Sequence, residues 1–111
     1  MTQSHLAQEL AFTIADGASF STEILIGGAT HGMLYVPSGT EGAQVELSPI
    51  DAAGNAMQFE TPVTVSITAD RVVDLGALPD VPSIRIETQT GGGVSQTQTG
   101  DAAFILFLKR R

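Results

Sequence analysis

The chain predicts an all-β fold: one antiparallel β-sandwich, jelly-roll-like, in a single domain. Three observations predict it. Apolar residues fall on every second position at Leu10, Phe12 and Ile14, again at Val63, Val65 and Ile67, and at Ile84 and Ile86. A period of two gives a strand one buried and one wet face. Gly, Pro, Asp or Asn interrupts these stretches roughly every eight to twelve positions, the spacing of turns in a small sandwich or barrel. No stretch keeps a helical period beyond two turns.

The elements follow in chain order. Residues 1–8 are polar and read as a flexible N-terminal arm, with the sandwich domain over 9–111. A first strand over 9–15 stops at Asp16 and Gly17, a favoured turn pair. A second, over 20–26, ends at Gly27 and Gly28, and a third, over 32–37, is almost continuously apolar, as in a strand covered on both faces or facing another subunit. Residues 38–42 make a turn into a fourth strand over 43–48, with Val45 and Leu47 inward and Gln44 and Glu46 outward. Asp51 to Asn55 form a hairpin connection to a fifth strand over 57–60. Residues 62–69 alternate most cleanly, with Thr64, Ser66 and Thr68 on the solvent side. A short edge strand over 72–75 precedes a loop holding Pro79 and Pro82, and another strand runs over 83–90. Residues 90–100 are a low-complexity Gly/Thr/Gln tract read as a flexible loop. The last strand, 102–109, is apolar on both faces, so it is central or covered.

Composition bounds the chemistry. At 111 residues with 42% hydrophobic content the chain can bury a core, and that core is aliphatic: five Phe, one Tyr and no Trp. Only 15% of residues are charged, against about 25% in an average domain. A thinly charged, Thr- and Gln-rich exterior suits faces that neighbours cover, and equally an ordinary polar β-domain. The net charge of −7 argues against direct nucleic-acid binding, which needs clustered Lys and Arg. Three of the five basic residues are Lys109, Arg110 and Arg111, a solubilising tail or a tether to an acidic neighbour. No cysteine is present, which excludes disulfides, thiol catalysis and Cys-ligated metals. The first residues lack the pattern of a signal peptide, and no stretch reaches the roughly 18 apolar residues of a membrane span. A soluble protein made in a cytoplasm is the expectation.

The catalytic inventory is thin. His5 lies in the arm and His31 is read as a loop residue, so a hydrolase would need His31 buried beside a carboxylate. Asp70 and Arg71 read as a turn, and the pair Asp70 and Asp74 has no fixed separation that would suggest acid/base work. The 51–55 segment lacks the alternating ligands and closing Glu of a calcium loop. Gly91 to Gly93 lack the Lys and the helix of a phosphate-binding loop. No catalytic residue, cofactor or metal is therefore assigned.

The order of these patterns resembles small β-sandwich structural proteins of tailed bacteriophages, of the capsid decoration or cement type. The likeness covers residues 24–111. It runs through 24–28 into 32–37, the strand and hairpin of 42–54, the strand and turn of 63–75, 83–88, and 96–101 before the closing strand. The resemblance implies a non-enzymatic virion protein on the capsid surface, made in a bacterial host, binding the major capsid protein and cementing neighbouring subunits as a homotrimer. It implies neither a membrane nor a nucleic-acid partner. Contact residues expected on this reading are Met33, Tyr35, Gln96, Gln98, Lys109, Arg110 and Arg111. Two alternatives stay open: a neck, tail or fibre-base adaptor, and a carbohydrate-binding module, the latter opposed by the absence of Trp platforms.

Overall fold

The computed structural model describes residues 7–110. Eight strands carry the chain: β1 (Ala7–Ile14), β2 (Ile24–Leu25), β3 (Ala29–Val36), β4 (Gln44–Pro49), β5 (Val63–Ser66), β6 (Arg71–Ala77), β7 (Ser83–Gln89) and β8 (Ala102–Arg110). They form two four-stranded antiparallel sheets, in the orders β1-β8-β3-β6 and β2-β7-β4-β5. The pairing is nested: β1 meets β8, β2 meets β7, β3 meets β6 and β4 meets β5. A long hairpin rolled into two facing sheets has this order, and it is the jelly roll expected from the sequence.

Alternation fills the space between the sheets. Leu34 and Val36 of β3, Leu106 and Leu108 of β8, Val45 and Leu47 of β4, and Ile84 and Ile86 of β7 are all buried. Phe104 stacks on Phe12 with ring centroids 5.0 Å apart. Such burial is the main favourable term in holding the sheets together.

Four local expectations change. β1 begins at Ala7, so Ala7 and Gln8 of the expected arm pair with Lys109 and Leu108; residues 1–6 lie outside the described residues. Of the expected strand over 20–26 only Ile24–Leu25 is regular, with a single bridge from Phe20 to Glu87. The reason is local: the Ser21 hydroxyl accepts the Ile86 N–H at 3.1 Å and donates to the Thr22 carbonyl at 2.8 Å, displacing ladder bonds. Residues 57–60 form no strand. Pro49 accepts from the Met57 N–H at 2.8 Å but has no N–H to return, so pairing stops there.

The 90–100 segment is tied down rather than loose. Thr90 N–H donates to the Val94 carbonyl at 2.7 Å, and Ser95 bridges back to Gln89. Gln98 is buried; its amide nitrogen donates to the Glu41 carbonyl at 2.7 Å and the Thr88 hydroxyl at 2.9 Å, while its carbonyl accepts the Glu41 N–H at 2.9 Å. At Gly42, with φ of 124°, an added Cβ would stand 3.2 Å from the Gln89 carbonyl, so the crossing beside this network requires glycine.

Candidate interaction surface

The outward faces of the two sheets differ in kind. On β2-β7-β4-β5 the outward side chains form a polar network. Gln89 donates to Glu46 at 2.6 Å and to Glu87 at 3.0 Å, bridging two carboxylates on adjacent strands, and accepts from Gln44 at 2.8 Å. Ser19 and Ser95 donate to the other Glu87 oxygen at 3.2 and 2.8 Å. Burial pushes the Glu87 carboxyl up, but the bonds from Gln89, Ser95 and Ser19 and the charge of Arg85 outweigh it, and it sits below the usual range.

On β1-β8-β3-β6 the register carries apolar residues across the outward face. Ala11 faces Ile105, Ile105 faces Tyr35, and Tyr35 faces Val72, so one row spans all four strands. The next row holds Phe107 and Met33 side by side, with Glu9 beyond β8 on one side and Asp74 on the other. Met33 is 41% exposed and Val72 51% exposed; Ile105, Phe107 and Tyr35 are half-buried. The band is therefore contiguous across the face and has a charged border.

The expected contact residues separate on this frame. Met33 and Tyr35 lie in the band, and Lys109 lies at its border, opposite His31. Gln96 and the buried Gln98 belong to the 94–100 segment, where Gln98 serves the fold. Arg110 is not part of a loose tail. It is a β8 residue whose Nε donates to Gln8 Oε1 at 2.7 Å and whose guanidinium also donates to the Gly27 carbonyl. Arg111 lies outside the described residues, as does His5. Sequence reasoning missed Ile105, Phe107 and Val72; the doubly apolar last strand was the signal for the first two.

His31 is on β3, not in a loop, because the strand starts at Ala29. Its Nε2 lies 2.7 Å from Asp74 Oδ1 across the β3–β6 register shift. The Gly76 backbone N–H, which Asp74 accepts at 2.8 Å, holds that carboxyl below its ordinary range; slight desolvation opposes this and His31 adds to it. The carboxylate partner asked of a hydrolase is present. The burial is not, since the His31 side chain is 41% exposed.

With this geometry in place, two solved structures are similar to the chain. One is the SPBc2 prophage-derived protein YomS, 12% identical, with a TM-score of 0.54 over 94% of this chain and 95% of that one. The likeness is one of fold. The other comes from Bacillus endospore appendages, a family of disulfide-linked pili, 11% identical, with a TM-score of 0.43 over 96% of this chain and 88% of that one. No family model matches the chain, and no curated protein matches it in sequence.

Proposed function

We propose that the chain is a non-enzymatic structural protein of a phage virion, docking on the outside of the capsid and cementing neighbouring major capsid proteins. The apolar band of Met33, Tyr35, Val72, Ile105 and Phe107 carries this reading, because the register aligns these side chains side by side across one outward sheet face. A fold shared with a prophage-derived protein supports it. On a capsid lattice each copy need bury only a modest area, on the order of 1,000 Å² or less per contact, because many equivalent contacts act together. Lys109 and His31 at one border of the band, and Glu9 and Asp74 at its sides, supply the polar rim. On the lattice, copies gather in threes around local three-fold positions, an arrangement that the capsid imposes and that the free protein does not need.

Mixing the purified protein with empty phage capsids tests it. Saturation at a fixed number of copies per capsid is the expected result. Met33→Glu, which puts a charge in an exposed part of the band, should lower the affinity about tenfold or more with the fold intact. Capsids that take up no protein, or take up the variant equally well, would exclude this docking face.

A further inference from the structure

The edges of the two sheets are unequally protected, and the unprotected one suggests a partner. An exposed edge strand presents unpaired N–H and C=O groups that another strand can use. β2 is only two residues long, and β5 is four residues long and follows Pro62. β6 pairs through a register shift and bears Arg71 and Asp74. β1 differs: Ala7 to Ile14 pair with β8 in unbroken register, with no Pro, Lys or bulge, and no strand lies on its other side among the described residues. Apolar side chains also remain uncovered at that edge. Half-buried Leu10 and Phe12 face Ile24 and Leu25 across a groove of about 260 Å³, and Leu25 is 67% exposed.

We propose that β1 pairs antiparallel with β1 of a second copy across a two-fold axis at Ala11, giving a continuous eight-stranded sheet. The sequence of the edge is self-complementary in this register. Leu10 of one copy stands opposite Phe12 of the other, over the groove, and pairing covers the apolar side chains there. Glu9 stands opposite Thr13, so the one charged residue of the strand never meets itself, and Gln8 stands opposite Ile14. The small side chain of Ala11 sits on the axis, where the two strands approach symmetrically. Shifting the axis to Leu10 would set Gln8 against Phe12 and separate the Leu10–Phe12 pair. The contact is isologous and uses the sheet edge, so it leaves the apolar face free. It does not depend on the capsid reading.

The chain has no cysteine, which makes a single introduced thiol an unambiguous reporter. Directly opposed residues on antiparallel strands have Cβ atoms about 4.5–5.5 Å apart, near the separation a disulfide takes. Ala11→Cys should therefore oxidise to a covalent dimer at least about tenfold faster than Thr64→Cys, an exposed control on β5. By light scattering the unmodified protein should show twice the 11.5 kDa chain mass at high concentration. Ala11→Lys, at an exposed position, should return it to one chain, with the thermal transition that the unmodified protein shows when diluted to one chain. Equal oxidation of the two cysteine variants, a persistent monomer, a closed trimer, or a dimer indifferent to Ala11→Lys would each overturn the proposal.

Discussion

Gln98 shows how one side chain can turn a low-complexity tract into a fixed part of a fold. Its amide meets both backbone groups of Glu41 and the hydroxyl of the fully buried Thr88. The Thr88 hydroxyl in turn donates to the Gln96 carbonyl at 2.8 Å, with the Ser19 carbonyl 3.2 Å away, so segments before β2, before β4 and after β7 share one network. Gln98→Ala leaves the backbone N–H and carbonyl of Glu41 without partners and should cost about 1–3 kcal/mol, read as a lower urea midpoint with faster amide exchange over residues 94–100. A midpoint equal to that of the unaltered protein would mean that the tract orders itself without Gln98. Asp70 makes a related point with its backbone. At φ of 64° it is the only non-glycine residue with positive φ among those described, and its N–H donates to the Val36 carbonyl at 2.7 Å, tying the turn before β6 to the end of β3.

At the scale of elements, β7 links stability to pH. Glu87 binds a proton less readily in the folded chain than in the unfolded one, because its network favours the carboxylate. Unfolding in acid therefore takes up a proton. The stabilisation is complete above the ordinary value of 4.5 and is lost as pH falls through the lower folded value. Glu87→Gln should lower stability at neutral pH and flatten its acid limb, measured as urea midpoints between pH about 3 and 7. A parallel downward shift at every pH would assign the acid limb to other carboxylates. The same scale shows which elements could be read from the chain. β1, β5, β7 and β8 announce themselves through two-residue alternation, as at Leu10, Phe12 and Ile14. Residues 20–23 and 57–60 alternate suggestively too, yet a serine hydroxyl and a proline without an N–H decide them otherwise. The apolar band was half legible: Met33 and Tyr35 stand out locally, but their alignment with Ile105 and Val72 needs the β8-β3-β6 register. The self-complementarity of β1 becomes meaningful only once β1 is known to be an edge.

At the scale of the whole molecule, the nested order of pairs constrains how the chain acquires its structure. β4 and β5 are the nearest neighbours in sequence, and each further pair, β3 with β6, β2 with β7, β1 with β8, encloses the previous one. Loop closure therefore favours the inner hairpin first, and contacts so distant in sequence place the protein among slow folders. Substitutions in the β4–β5 pair, such as Val45→Ala, should slow refolding, whereas Phe12→Ala should chiefly speed unfolding, as stopped-flow chevrons would show. During synthesis β1 leaves the ribosome before the other seven strands yet is the last to find its mate, because β8 is the last of the eight to be made. Until then Leu10, Phe12 and both edges of β1 stand open on every nascent copy. A polysome crowded with such copies is where a chaperone that shields extended apolar segments would matter most to the yield of this protein.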